Sequence, residues 1–329
     1  MIWLRCRLGL QIGTGHAARC FSLAKAIASA GSSPGFILDS DAVDFTKRVA
    51  TAGFDHVSID PGAPLALEAD AYPDGPVVLD LSNPVMLPEL SDLVMALKAQ
   101  KRSVALIEGL DHEAYQGPAR PDLVITPYLG GENERARPAE RGIGGGQYAV
   151  LGPEYSVAPT ALADRDKILI MLSGSDPWHL TEKVLTSLVD FGPRLLLVLG
   201  GSIPHDRALK LAAAGEAIGA EIIEAPDSLH PVFMRARAAV IGPGLVKYEA
   251  VATQTPFVIV CPEGQYIGAQ SAFVSAGLTN CLDSGAPDFP TALPETLNAA
   301  LTRTPAFPAL IDGQGAQRLA TELIDAFGE

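Results

Sequence analysis

Short runs of aliphatic and β-branched residues recur along this chain, each followed by a stretch long enough for a helix. That alternation constrains the fold more than any other feature. IWLRCRL near the N-terminus, a helical pattern over about 17–30 closed by Gly31, GFILDS, and a helical pattern before Gly53 set the rhythm. VVLDLS (77–82), a helix over 87–100, SVALIEG (103–109) and DLVITP (122–127) continue it. Strands apolar on both faces and separated by helices read as βαβ units in a covered parallel sheet. Between Gly130 and Asp166 the pattern lapses into glycine, proline and charge, and KILIML (167–172) restarts it; RLLLVLG, EIIEAP, AAVIGPG and FVIVCP follow. At 329 residues the chain exceeds what one hydrophobic core usually holds. The expectation is an α/β protein of two Rossmann-like domains: 1–150, an interdomain linker over 151–165, and 166–329. The C-terminal helix is assigned to the second domain, although its apolar face of Leu319, Leu323, Ile324 and Phe327 would fit either.

A net charge of −14 and the lack of any Lys/Arg block argue against a nucleic-acid partner. A local nest of backbone N–H groups can still hold a phosphorylated small molecule. Cys6, Cys20, Cys261 and Cys281 are scattered without C-x-x-C spacing, so reduced thiols are expected rather than a metal site or a disulfide framework. Arg5 and Arg7 interrupt the N-terminal apolar run and no run is long enough to span a bilayer, so no membrane insertion and a cytoplasmic location are expected. The composition is compatible with a monomer.

IGTGHAARC (12–20) is the first chemical signal. Gly13, Gly15 and Ala18 approach a dinucleotide-binding fingerprint, and Asp39 ends the next strand near the distance of a ribose contact. His16 offers another reading. It falls in the first turn of a helix at a strand's carboxyl end, where ligands of open α/β sheets bind. The positive helix end disfavours imidazolium, leaving a neutral imidazole able to accept a proton. A histidine bonded to a local carbonyl is the bland alternative. His112, His205 and His230 read as ordinary surface residues.

The second half carries two glycine loops. SGSDP places Gly174, Ser175 and Asp176 between strand and helix, where N–H groups and the Ser175 hydroxyl can meet an anion. The alternative is an Asp-Pro turn into a helix capped at Thr181. IGPGLVKYEA (241–250) sets Gly242 and Gly244 for close backbone approach, then a short helix bearing Glu249, whose carboxylate can accept from the cis hydroxyls of a ribose. Gln265, in the loop CPEGQYIGAQ, has an amide able to hold a sugar or phosphate.

Arg5 with IGTGHAARCFSLAKAI, LGPEYSV (151–157), LSGSDPWHLTEKVL (172–185) and YEAVATQTPFVIVCPEGQ (248–265), in that order, resemble the UDP-2,4-diacetamido-2,4,6-trideoxy-β-L-altropyranose hydrolases of pseudaminic acid biosynthesis. Those enzymes are relatives of the lipid II N-acetylglucosaminyltransferase. The resemblance implies a GT-B-like fold of two domains facing across a cleft and UDP held mainly by the second domain, with Glu249 on the ribose and the glycine loops near the diphosphate. It implies His16 as the catalytic base, Arg19 and Arg5 as electrostatic supports, and metal-independent attack of water on the anomeric carbon of a UDP-sugar. No cofactor is implied. The implied role is nonulosonic acid biosynthesis for surface or flagellin glycosylation; a glycosyltransferase using a UDP-sugar, or a catalytically degenerate sugar-nucleotide-binding accessory protein, are the alternatives. Three departures motivate them. Asp80 of VVLD is followed by Leu81, Ser82 and Asn83, without the family's tyrosine two residues on; Glu108 and Gly109 replace paired aspartates; and Leu245, Val246 and Lys247 remove hydroxyl donors from the phosphate loop, leaving Lys247 as a point charge.

Overall fold

The computed structural model describes residues 1–7, 15–81, 87–108, 117–131, 141–265, 267–305, 307 and 311–328. The chain divides into two compact units, Met1–Pro153 with Leu310–Glu329, and Glu154–Ala309.

The first unit holds a seven-stranded parallel sheet. Its strands are β1 (Ile2–Cys6), β2 (Pro34–Asp39), β3 (Asp55–Ile59), β4 (Val77–Asp80), β5 (Val104–Ile107), β6 (Leu123–Thr126) and β7 (Arg141–Gly144). Helices α1 (Gly15–Ser29), α2 (Val43–Thr51), α3 (Leu65–Glu68) and α4 (Leu87–Ala99) connect them. The strand order β3-β2-β1-β4-β5-β6-β7 reverses direction between β1 and β4, which lie side by side with Cys6 opposite Asp80. A crevice at the carboxyl ends of such a pair is where open α/β sheets bind ligands. β1, β2, β4, β5 and β6 are buried along their whole length, which is why they read as largely apolar runs, broken in β1 by the buried Arg5.

The second unit repeats this plan with six parallel strands, β8 (Lys167–Met171), β9 (Leu195–Leu199), β10 (Glu221–Glu224), β11 (Ala236–Ile241), β12 (Phe257–Cys261) and β13 (Thr279–Asp283). The order β10-β9-β8-β11-β12-β13 reverses between β8 and β11. Its helices are α5 (Leu180–Ser187), α6 (His205–Ala217), α7 (His230–Phe233), α8 (Val246–Ala252), α9 (Ser271–Ser275) and α10 (Phe289–Thr302). Ile168, Ile170, Leu195, Leu197, Val240 and Val258 form its core with Val184 and Leu293 from the helices and Leu188 just past the end of α5. The four cysteines are unbridged; Cys281 is half-buried and the others are buried.

The last helix, α11 (Gly315–Phe327), corrects the sequence assignment. It belongs to the first unit, where Ala316, Leu319, Ala320 and Leu323 join Ala17, Leu23, Ala24 and Ile27 of α1 in one buried cluster. Its start passes close to the chain near Ala149. A Cβ at Gly315 would lie 2.1 Å from the Ala149 carbonyl oxygen, so the contact requires glycine. The unit boundary falls at Pro153/Glu154, inside the span expected to be linker.

Candidate active site

α1 delivers His16 and Arg19 to the carboxyl ends of β1 and β4, and Asp80, the last residue of β4, receives both. His16 Nδ1 lies 2.6 Å from Asp80 Oδ1. An ionised carboxylate only accepts, so Nδ1 carries the proton, and the lone pair of a neutral ring held this way is on Nε2. The His16 side chain is 20% exposed, whereas Asp80 is fully buried. Arg19 clamps the same carboxylate through Nε to Oδ2 at 2.7 Å and Nη2 to Oδ1 at 2.5 Å, and the Cys20 thiol adds a contact at 3.5 Å. Burial pushes the Asp80 carboxyl up, but the Arg19 guanidinium and His16 outweigh it and hold the group well below the usual carboxylate range. Arg19 Nη1 also donates to the Tyr128 hydroxyl beyond the end of β6. Glu108, just past β5, is fully buried at the same edge.

Gly15 opens α1, and Gly13 lies outside the described residues, as do His112, Ser82 and Asn83. Arg5 and Asp39 do not join His16. Arg5 is fully buried on β1 and donates to Glu68 through Nε at 2.9 Å and Nη2 at 3.0 Å, and to Asp39 at 2.8 Å; Tyr72 adds a bond to Glu68. Asp39 is 3% exposed and spent on that pair, which removes the ribose contact on which a dinucleotide reading depends.

In the second unit the loops after β8 and β11 emerge together, since Met171 and Ile241 are partners. A Cβ at Gly242 would fall 1.7 Å from the Leu172 carbonyl oxygen, so this glycine permits the strands' close passage. Gly244 is exposed, and a Cβ there would meet nothing within 4 Å. Asp176 departs from its expected role. Its carboxylate accepts from the N–H of Leu180 at 2.9 Å and of Thr181 at 3.2 Å, capping α5, and pairs with Arg207 at 2.7 Å. That carboxylate, 2% exposed, anchors the loop instead of meeting a ligand, and it caps the helix from four residues before its first turn rather than at Thr181. Asp176 (φ 43°) and His179 (φ 55°) both hold left-handed backbone that costs non-glycine residues energy, so the loop is fixed by its bonds. Ser173 Oγ accepts the Asp176 N–H at 2.7 Å, Gly174 accepts from Ser202, and Ser175 is buried.

Lys247 is no phosphate contact either. Its ammonium donates to Gln270 Oε1 at 2.6 Å and to the Pro243 carbonyl at 3.2 Å, 4.9 Å from the Phe273 ring centroid, and burial lowers it to about 8. Gln265 sits exposed in its turn after β12. Glu249, on α8, is half-buried and accepts from the Tyr155 hydroxyl at 2.7 Å. Burial pushes its carboxyl up to about 7; the Tyr155 bond opposes that and the Glu154 charge adds to it. His230 is not an ordinary surface residue: its ring packs edge-on against Tyr155 at 5.2 Å. Asp80, Tyr128 and Tyr155 are the polar partners that sequence reasoning assigned no role. Position was the available signal: Asp80 ends a strand beside the reversal, and Tyr155 lies in LGPEY.

No family model matches the chain. Over 204 residues, 56% of the chain, it is 26% identical to the spore coat polysaccharide biosynthesis protein SpsG of Bacillus subtilis, and the match spans 58% of that protein's length. Among solved structures it is similar to MurG of Acinetobacter baumannii, with a TM-score of 0.59 at 12% identity over 99% of each chain. It is also similar to S. aureus MnaA in a co-structure with UDP, with a TM-score of 0.65 at 13% identity over 99% of this chain and 96% of that one. A third likeness is to the UDP-GlcNAc 2-epimerase of Neisseria meningitidis bound to UDP-GlcNAc, with a TM-score of 0.60 at 11% identity over 99% of this chain and 100% of that one. These likenesses show the fold. It is GT-B-like, an α/β architecture built on two Rossmann-like sheets, as expected from the sequence.

Proposed function

We propose that this chain processes a UDP-sugar, and that it does so as a hydrolase releasing UDP from a UDP-activated diacetamido-trideoxy sugar in nonulosonic acid biosynthesis. The observation that carries the chemistry is the His16–Asp80 pair. With Nδ1–H held by a buried carboxylate, Nε2 is the basic atom. It takes a proton from water as the water oxygen bonds to the anomeric carbon, and the bond from that carbon to the diphosphate breaks. The carboxylate then stabilises the imidazolium that forms. Arg19 keeps Asp80 ionised and in place.

The leaving UDP is assigned to the second unit. Glu249 accepts from the ribose, and the backbone N–H groups of Gly174, Ser175 and Gly244 face the diphosphate. Fixed dipoles of this kind stabilise charge as it develops without reorganising. The UDP ligands named for MnaA and the Neisseria epimerase, and the polysaccharide role named for SpsG, support this choice of substrate. A dyad of this geometry would equally deprotonate a sugar hydroxyl, which makes a glycosyltransferase the second reading.

The test is UDP release from a panel of UDP-diacetamido-trideoxy hexoses in water enriched in heavy oxygen. Hydrolysis places one solvent oxygen on the anomeric carbon of the free sugar; label-free transfer to an added glycan would favour the second reading. UDP binding with no turnover on any donor would reject both in favour of an accessory protein. His16→Ala should keep its fold and lose about 100-fold or more of turnover; unimpaired turnover would remove the base from the mechanism.

A further inference from the structure

Glu249 reaches the nucleotide site on a flexible stem, and a carboxylate free to rotate makes a poor receptor for two hydroxyls at fixed spacing. We propose that Tyr155 is a positioning residue of this site, its phenolic O–H donating to Oε1 of Glu249 so that Oε2 is held out to the ribose hydroxyls of a nucleoside diphosphate. The inference rests on the UDP reading above and adds to it a residue outside both glycine loops.

The phenol is itself held from two sides. It is 4% exposed, its oxygen lies 2.7 Å from Oε1, and the His230 ring meets its ring at 89°. The neighbouring Glu154 accepts from Ser228 Oγ at 2.6 Å, and the same Oγ accepts the His230 N–H at 3.2 Å. Pro153–Ser156 forms a single 3-10 turn, and Ser228 and His230 tie its adjacent side chains, Glu154 and Tyr155, into one network. Among the described residues Oε2 of Glu249 takes no hydrogen bond. The choice of a phenol is chemically informative. A guanidinium or ammonium would neutralise the carboxylate, whereas a neutral donor orients it and leaves its charge for the ribose.

The ionisable groups acting on Glu249 are Tyr155, whose bond favours the carboxylate, and Glu154, whose charge opposes it. A protonated Glu249 has lost acceptor capacity, so UDP affinity should fall as pH drops through about 7, the value of its carboxyl. Removing the phenolic donor takes away an interaction that favours ionisation, so the fall should move to higher pH.

UDP titrations of the full chain by calorimetry between about pH 6 and 9, for wild type, Tyr155→Phe and Glu249→Gln, test this. The expected result is about tenfold weaker binding at the alkaline end for Y155F, with its inflection displaced upward, and no such inflection in E249Q. The phosphate of UDP titrates identically in all three experiments and drops out of the comparison. A Y155F protein with wild-type affinity and inflection would overturn the positioning role while leaving the UDP site intact. A wild type that does not bind UDP, or an E249Q protein that retains wild-type affinity and inflection, would instead defeat the nucleotide reading and the inference with it.

Discussion

At the scale of single residues, Asp80 does the most with the least exposure. It fixes the tautomer of His16, absorbs the charge of Arg19, and accepts from Cys20. Asp80→Asn should leave a ring that no longer prefers Nδ1–H, because the amide can donate to Nδ1 as well as accept from it. Turnover should drop by about 10²–10⁴-fold with a smaller change in KM, measured by steady-state kinetics. The same substitution has a stability signature. Asp80 is depressed in the folded state, so its contribution is present above the unfolded value of about 4 and is lost as pH falls toward the folded one. D80N should therefore show a shallower loss of stability than wild type in acid titrations followed by circular dichroism. His16 stood out in the sequence because it follows a glycine at a helix start after a strand, although a bond to a local carbonyl was the alternative. Asp80 did not, because its partner lies 64 residues away and VVLD alone reads as a strand ending in a turn.

At the scale of elements, the β8–α5 loop shows why composition misleads. Ser, Gly and Asp before a helix suit both an anion cradle and a capped turn, since each consists of first-turn N–H groups finding an acceptor. Here the acceptor is internal, the Asp176 carboxylate, and Arg207 balances its charge. Asp176→Ala should cost about 1–3 kcal/mol in urea unfolding, through loss of the cap and of one partner of Arg207, which keeps its pair with Glu182. It should also weaken UDP binding, as the left-handed turn relaxes. Lys247 follows the same logic. A cation in a glycine loop looks like a phosphate ligand until packing reveals Gln270 and the Pro243 carbonyl as its acceptors. Strands such as β9 and β12 posed no such ambiguity, because burial on both faces writes itself into the sequence as unbroken apolar runs, whereas β3 and β7, only partly buried, left no run to read and β7 falls where the pattern lapses.

At the scale of the whole molecule, the chain builds the same doubly wound sheet twice, with strand order reversing at β1/β4 and again at β8/β11. Each reversal gathers the residues assigned to one half of the chemistry, His16 and Asp80 at the first, the glycine loops and Glu249 at the second. The sequence rhythm exposed the repetition but not the return of α11 to the first unit, since an amphipathic stripe carries no address. A chain ending at Ala309 lacks that helix and leaves Leu23, Ala24 and Ile27 of α1 without their cover. Losing two buried leucines, Leu319 and Leu323, forfeits about 3–6 kcal/mol, comparable with the entire stability of many domains. Such a truncation should lose catalysis and the first unit's cooperative melting transition while retaining a UDP-stabilised one, as scanning calorimetry with and without UDP would reveal.

The position of α11 also sets an order of events during synthesis. Every residue of the second unit is translated before the helix that completes the first unit. The half assigned to the nucleotide is therefore complete in sequence first, while the half that carries the base still lacks α11 and leaves the apolar face of α1 uncovered.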